Sequence, residues 1–264
     1  MKPLNMNPMS KLCALAGSLL LAGAATLSAQ ITVDGFTNFN STGNPVNGTF
    51  DASGSDKLVI VITGEHGFNN TSGQANDITY DGVSLTKLTD RDPVTAGTDT
   101  LYGDIWYLDN PGAVHTAGAI SANCTTRGNV TAIGLSGTEP GAGATLVDSG
   151  LDSRSGTINT TGTDSIVLAA WNIGGAGNTA GLSGIVTDAA LTEVSRQENG
   201  SNWDGHVVGY ENGVNAGAQT YTWTGGNQAG AFVNAAEFLA IPEPSTTALF
   251  GLAGLGLILR RCRK

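Results

Sequence analysis

The chain has 264 residues, a formal net charge of −10 at pH 7 and only 13% charged residues. Its length allows one large domain or two small ones. The acidic balance argues against nucleic acid as a partner, because phosphates are bound by clustered Lys and Arg. The 38 glycines and the abundant Ser, Thr and Asn favour short strands and turns over long helices.

The first 29 residues have the features of a secretory signal peptide. Lys2 and Lys11 provide a positive segment, an apolar run extends from Leu12 to Ala25, and small residues follow it. The run is shorter than the roughly 20 residues that a membrane span requires. We therefore expect a signal helix that directs export and is removed after Ala25 or Ala29.

The segment 30–240 is predicted to be a body of short β-strands. Its apolar residues alternate with polar ones or form short runs, and turn sequences such as YDG, DNPG and ENG separate them. No stretch has the apolar spacing of a long amphipathic helix. We predict an all-β, jelly-roll-like β-sandwich. The predicted strands are 57–63, 77–82, 83–89, 100–109, 115–122, 128–137, 165–173, 205–211, 219–225 and 229–240.

The body also contains a weak internal repeat. The repeat pairs 55–64 with 163–172, 83–92 with 189–198, 104–113 with 206–215, and 129–137 with 231–240. No linker rich in Pro or charge separates the two halves. One half alone would contain few large apolar residues and a thin core. We therefore expect one sandwich with two pseudo-repeated halves in preference to two small domains.

Few residues of the body have the spacing of a catalytic or metal site. The histidines are His66, His115 and His206. No G-x-S-x-G sequence or zinc-type Cys/His spacing occurs. Glu65-His66 is the most site-like pair, but we favour a polar loop as its interpretation. The acidic segments 90–93 and 98–104 contain carboxylates suited to calcium but not the spacing of a calcium loop. We expect no catalysis, no metal and no cofactor.

One stretch suggests an alternative function. Segment 199–213 contains Trp203, Asp204, His206, Tyr210 and Asn212. Aromatic rings pack against sugars, and Asp and Asn form hydrogen bonds with their hydroxyls. A loop followed by a strand with one core aromatic would contain the same residues. A carbohydrate-binding module that uses Trp203 or Trp223, with Asp204 as a further sugar contact, is the second hypothesis. A polysaccharide hydrolase or lyase is the third.

The C-terminal segment 241–264 combines three features. Pro242-Glu243-Pro244 is followed by an uncharged run from Ser245 to Leu259 and then by the basic residues Arg260, Arg261, Arg263 and Lys264. As a helix, the run would span about 22 Å, and the long basic side chains extend its reach toward the ~30 Å hydrocarbon core. The basic cluster would hold the tail on the cytoplasmic side, and the prolines keep the motif outside the helix.

Segment 241–264 resembles the PEP-CTERM sorting signal. The matching residues are Pro242-Glu243-Pro244, Ser245, the Gly/Leu/Ala run 248–259 and the basic cluster. The resemblance implies recognition by exosortase, a membrane cysteine protease/transpeptidase-like enzyme of Gram-negative bacteria that make exopolysaccharide. A plain C-terminal anchor is the alternative interpretation.

The resemblance completes the functional prediction. We expect a signal peptide at 1–29, a β-sandwich at 30–240 and a sorting segment at 241–264. The protein would be exported and held transiently in the inner membrane by a C-terminal transmembrane helix. It would then be processed near Pro242-Glu243-Pro244 and delivered to the cell surface or the extracellular matrix. Extracellular polysaccharide would be a further partner, and the protein would have no catalytic activity of its own.

Overall fold

The computed structural model of the protein describes most of the body. The described residues are 30–41, 43, 45–66, 77–89, 94–96, 99–113, 117–123, 127–147, 153–174, 182–199, 204–225 and 230–242. The predicted signal helix and the uncharged C-terminal run lie outside these ranges. Within them, no helix has the length and apolar character needed to cross a membrane.

The described part of the chain is all-β, as its composition predicts, with one 3₁₀ turn at Pro111–Ala113. Strands of the first half are β1 (Thr32–Ser41), β2 (Val46–Phe50), β3 (Lys57–His66), β4 (Asp77–Tyr80), β5 (Val83–Ser84), β6 (Thr86–Lys87), β7 (Val94–Ala96), β8 (Asp99–Asp109), β9 (Gly118–Asn123) and β10 (Arg127–Ser136). Strands of the second half are β11 (Thr145–Val147), β12 (Ser155–Thr160), β13 (Ser165–Gly174), β14 (Thr192–Asn199), β15 (Asp204–Val214), β16 (Gly217–Thr222) and β17 (Phe232–Phe238).

These strands form antiparallel sheets, one large and one small in each half. In the first half, sheet A has the order β1-β10-β3-β8-β6, with β7 also paired to β8, and sheet C has the order β2-β9-β4-β5. In the second half, sheet B has the order β11-β17-β13-β15-β14, and sheet D pairs β12 with β16. Each half is therefore a unit of two sheets.

Three apolar layers hold the sheets together. Leu58 and Ile120 belong to the layer between sheets A and C, and Trp171 belongs to the layer between sheets B and D. The third layer joins the halves, because it packs Val59 of sheet A with Phe238 of sheet B. Sheets A and B are thus covered on both faces. Strands buried on both faces need continuous apolar runs, which explains sequences such as KLVIVIT in β3.

The prediction of one sandwich shared by both halves is incomplete. Residues Gln30–Ala240 do form one compact unit. Within it, the described strands make a two-sheet unit from each half, and the large sheets A and B pack face to face. The shared layer is what prevents the halves from being two independent domains.

The internal repeat corresponds to a repeated strand order. Sheets A and B match when β1, β10, β3, β8 and β6 are equated with β11, β17, β13, β15 and β14. The residue alignment from the sequence is nevertheless displaced in several strands. It equates Leu58 with Ile166, but Leu58 lies between sheets A and C and Ile166 lies between sheets A and B. A shift of one residue exchanges the two faces of a strand and explains this difference.

Two of the predicted turn sequences, YDG and ENG, form different structures. Asp81 and Gly82 have positive φ angles of 49° and 80° and form the two-residue turn between β4 and β5, as YDG predicts. Gly213 of ENG instead lies inside β15 with φ 70°. The register with β13 shifts at this point, between Ser165 and Ile166. The glycine therefore forms a β-bulge and does not end the strand.

Candidate functional site at the end of the last strand

The last strand, β17, leads directly to the proline-flanked motif. It lies inside sheet B, between β11 and β13, and all its residues are buried. Beyond the strand, the Leu239 carbonyl accepts a hydrogen bond of 2.9 Å from Glu139 N–H, and Ala240 forms an isolated antiparallel bridge with Thr138. Only Ile241, which is exposed, separates this bridge from Pro242. We call residues 239–242 the C-terminal exit.

A buried carboxylate fixes β17 just before the exit. Glu237 is fully buried, and its oxygens accept hydrogen bonds of 2.9–3.1 Å from the backbone N–H groups of Ala144, Thr161 and Gly162. The hydroxyls of Thr161 and Ser165 donate to it as well. Burial raises the pKa of Glu237, but these donors together hold it below its ordinary value. The ionised side chain therefore acts as a clamp on the strand end.

Carboxylates of the first half hold the segment that contacts the exit. We call residues 137–144, which connect β10 to β11, the crossover. The Gly137 N–H donates to Asp56 Oδ2 at 2.6 Å, and the Gly141 N–H donates to Asp109 Oδ2 at 3.0 Å. These two bonds lie on either side of Thr138 and Glu139, the residues that bind the exit. The position of the crossover is therefore set from both sides.

A buried lysine joins the same region to β17. Lys57 is fully buried, and its ammonium donates to Asp109, its cross-strand partner in β8. The ammonium also lies 4.8 Å from the centre of the Tyr107 ring and 5.6 Å from that of Phe238. Burial lowers the pKa of Lys57, opposed by the hydrogen bond and charge of Asp109 and by the charge of Asp56. Charges of the first half thus lie against the end of the last strand.

A second polar cluster lies in the layer between sheets A and B, near the opposite end of β3. His206 is fully buried, with Nε2 2.8 Å from Thr131 Oγ1 and Nδ1 3.2 Å from Thr63 Oγ1. The Thr63 hydroxyl also contacts Asn172, whose amide donates to Asn234 at 2.9 Å. Burial lowers the pKa of His206 to about 3, so the imidazole is neutral at ordinary pH.

This second cluster is an internal tie between the two large sheets. Thr63 and Thr131 belong to sheet A, and His206, Asn172 and Asn234 belong to sheet B. All five are fully buried, so neither a substrate nor bulk water reaches them in this structure. The directional hydrogen bonds fix how the sheets lie against each other, which apolar packing alone specifies less strictly.

Several residues singled out from the sequence lie in the described part of the chain. Trp223 is fully buried in the layer between sheets B and D, which excludes direct contact with a sugar. His206 is an internal residue and not part of an exposed sugar-binding face. Asp104 of the candidate calcium segment is fully buried and pairs with Lys87 at 3.2 Å. Among the described residues, no group of three or more His, Cys, Asp or Glu side chains has the arrangement of a metal site.

Other predicted residues remain untested. Glu65 and His66 are the last residues of β3, and Asp204 begins β15, but their side chains are not among those described. Trp203 and His115 lie outside the described residues, as do Glu243, Pro244 and the basic cluster Arg260, Arg261, Arg263 and Lys264. Pro242 is described, and it is exposed.

The residues that hold the C-terminal exit in place were missed at the sequence level. The available signal was the position of single charges in otherwise apolar strands. Lys57 begins KLVIVIT, and Glu237 interrupts AFVNAAEFLA. A charge at such a position must be paired or hydrogen-bonded when the strand is buried. That rule indicates a partner but does not identify Asp109 or Ala144.

Comparison with known proteins identifies the segment that follows the exit. None of the curated proteins compared with the chain matches it. A family model described as the PEP-CTERM protein-sorting motif matches residues 240–264. The match begins at Ala240, the residue held by Thr138, and confirms the resemblance seen in the sequence. The chain thus ends in a PEP-CTERM sorting motif, which marks it as an exported protein that the membrane enzyme exosortase processes on the way to the cell surface.

Proposed function

We propose that the protein is a non-catalytic component of the bacterial surface or extracellular matrix, associated with exopolysaccharide. The observation that carries this proposal is the direct junction between a compact β-rich body and the sorting motif. Ala240 is bridged to Thr138 of the body and is also the first residue of the match. The body is thus the part that processing would leave as the mature protein.

The internal chemistry of the body supports a structural role. Its described buried charges are used as ties: Glu237 binds backbone N–H groups, Lys57 pairs with Asp109, and Asp104 pairs with Lys87. The neutral His206 is enclosed between the large sheets. A catalytic group would need access to substrate, which the fully buried Glu237, Lys57, Asp104 and His206 do not have.

The topology supports a kinship with bacterial extracellular β-sandwich domains. In the first half, β1-β10-β3-β8 of sheet A and β2-β9-β4-β5 of sheet C have the strand order of an eight-stranded jelly roll. The second half repeats the large sheet with a shorter small sheet. We assign both halves to a jelly-roll-like class.

The outer face of sheet D favours polysaccharide as the extracellular partner. Exposed hydroxyls are paired across its two strands, Ser155 with Thr222 at 3.0 Å and Thr157 with Thr220 at 2.8 Å. Such an exposed row of paired, uncharged hydroxyls suits the hydroxyls of an extended sugar polymer. Co-sedimentation of the processed protein with exopolysaccharide from its host tests this partner, and Thr157→Val/Thr220→Val should weaken it.

The carbohydrate-binding module remains the alternative and makes a different prediction. It assigns the sugar contact to Trp203 and Asp204. On a glycan array, that hypothesis requires saturable binding to a defined sugar, lost in Trp203→Ala. Binding that needs the hydroxyls of sheet D but not Trp203 supports the matrix role.

The sorting route assigns a task to each part of the C-terminal segment. The uncharged run 245–259 would hold the protein transiently in the inner membrane of a Gram-negative cell. Arg260, Arg261, Arg263 and Lys264 would keep the tail from passing through. Glu243 is the only charged residue between Glu237 and Arg260, so it would be recognised by a cationic pocket of the enzyme.

Replacement of Glu243 tests the proposed route. Glu243→Ala should be exported normally and should accumulate as full-length protein in the inner membrane. Asp77→Ala, which removes an exposed carboxylate of the body, is the matched control and should be processed normally. Cell fractionation with mass spectrometry of the mature C-terminus gives the result. Normal trimming and release of Glu243→Ala would mean that the tail is only an anchor.

A further inference from the structure

The folded body ends only one residue before the sorting motif. Ala240 is bridged to Thr138, and only Ile241 lies between Ala240 and Pro242. Two Cα–Cα steps span at most about 7.6 Å. A compact unit of roughly 210 residues has a radius of gyration of about 17 Å. An enzyme that binds the motif must therefore contact the body or draw chain out of it.

The residues just before the motif are already engaged. Peptide-binding proteins commonly hold an extended segment through its backbone N–H and C=O groups. In the folded body, the Leu239 carbonyl accepts from Glu139 and Ala240 is paired with Thr138. These backbone groups cannot pair with an enzyme at the same time. Binding of the chain before Pro242 therefore requires the exit to separate from the crossover.

The structure also limits how far such a separation extends. Phe238 is paired with Ile166 in β13 and packs in the layer between the large sheets. Glu237 is fixed by the N–H groups of Ala144, Thr161 and Gly162. Residues up to Phe238 are thus paired within sheet B, whereas the described backbone pairing of Leu239 and Ala240 is with the crossover. Opening would break this pairing and move the Ala240 methyl group out of the layer between the large sheets, while β17 stays in its sheet.

We propose that separation of Leu239–Ala240 from Thr138–Glu139 precedes processing and limits its rate. Thr138 and Glu139 are then positioning residues that act through the exit and do not touch the reacting bond. The proposal rests on the proposed function of the motif. It adds that the folded body itself regulates how fast the motif is used.

A spacer and a lock test the proposal in opposite directions. Insertion of Gly-Ser-Gly-Ser between Ile241 and Pro242 should make processing about ten-fold faster, equivalent to about 1.4 kcal/mol at 25 °C. A disulfide between Thr138→Cys and Ala240→Cys should slow processing at least about ten-fold, and reduction should restore it. Full-length protein is incubated with host membranes, and the processed fraction is followed over time by mass spectrometry.

A variant that contains both the spacer and the disulfide distinguishes control of processing by the exit, which we call gating, from a general effect on folding. The spacer placed in the oxidised double-cysteine variant should restore rapid processing, because the enzyme no longer needs residues 239–240. Each single-cysteine variant is a control for mispairing with Cys124 or Cys262. A thermal melt of the oxidised protein checks that the body remains folded.

The outcomes distinguish this inference from the proposed function. If Glu243→Ala blocks processing but the spacer and the lock both leave the wild-type rate, the gating inference is wrong and the sorting route stands. If Glu243→Ala is processed normally, both are wrong. A spacer that accelerates processing together with a lock that slows it supports the gate.

Discussion

The Lys57 ammonium lies 5.6 Å from the centre of the Phe238 ring, and this contact connects β3 of the first half with β17, the last strand of the second half. Lys57 also pairs with Asp109, which accepts the N–H of Gly141 in the crossover. One buried cation therefore contacts the end of β17 directly and the crossover through its carboxylate partner.

Replacement of Lys57 should destabilise the protein, but less than replacement of one partner in a salt bridge whose two side chains are both fully buried. Lys57→Met keeps most of the side-chain volume and leaves Asp109 without its cation. The Asp109 side chain is 29% exposed, so water replaces part of the lost interaction. We expect a loss of about 1–3 kcal/mol in the free energy of unfolding, measured by urea denaturation.

Asp109→Asn gives the matched comparison for this pair. The double variant Lys57→Met/Asp109→Asn should be more stable than Lys57→Met, because no unpaired carboxylate remains. Equal stability of Lys57→Met and the double variant would show that the carboxylate left without its cation costs nothing.

Loss of the Glu237 charge should destabilise the folded protein even when the shape of the side chain is kept. Glu237→Gln keeps the shape but replaces one acceptor oxygen with an NH₂ group that faces backbone donors. We expect a loss of about 2–4 kcal/mol in the free energy of unfolding. Glu139→Gln changes a carboxyl group on the neighbouring crossover and should have little effect. Comparable urea midpoints for the two variants would contradict the role of Glu237 as a clamp.

His206 should make the protein less stable in acid. Its pKa is about 3 in the folded protein and 6.5 ordinarily, so below pH 6.5 the unfolded chain binds a proton that the folded protein does not. The stabilising contribution is complete above pH 6.5 and is lost as the pH falls toward about 3. The slope should approach about 1.4 kcal/mol per pH unit within this window.

Comparison of variants between pH 6 and pH 5 isolates this effect. Glu237, with a folded pKa below its ordinary value of 4.5, loses its contribution only at lower pH. His206→Gln should flatten the slope, whereas His66→Gln and His115→Gln serve as controls. An unchanged slope in His206→Gln would assign the acid sensitivity to other groups.

The two halves should not be stable when they are expressed apart. Separation of 30–137 from 138–240 exposes the apolar faces of sheets A and B, including Val59 and Phe238. Large exposed apolar faces promote aggregation. The intact protein should show one calorimetric transition, and each half should be unfolded or aggregated. Sharp independent transitions of the separate halves would contradict this expectation.

The strands that are buried on both faces were predicted from the sequence, because their own residues form apolar runs. β3, β10, β13 and β17 are covered on both sides, and their apolar runs are visible without a partner. The short strands β2, β7 and β11 were missed, and so were the longer β1, β12 and β14. Their sequences, TVDGFTNFNS, SGTINT and TEVSRQEN, are mostly polar because these strands lie at sheet edges or on an outer layer. Pairing with a neighbouring strand, which a local pattern does not contain, makes them strands.

The candidate site also has one part that the sequence predicts and one part that it does not. The sorting motif was predictable because its prolines, uncharged run and basic cluster are contiguous in the sequence. The exit was not, because Asp56, Asp109 and Glu237 meet the crossover only through the pairing of distant strands.

The place of β17 in sheet B has a mechanical consequence. Within sheet B, β17 is paired with β11 on one side and β13 on the other. A pull directed along β17 would shear these interstrand bonds together instead of peeling them one at a time. The body would resist such a pull through an inner strand, whereas the described hydrogen bond at Leu239 and the bridge at Ala240 would break first.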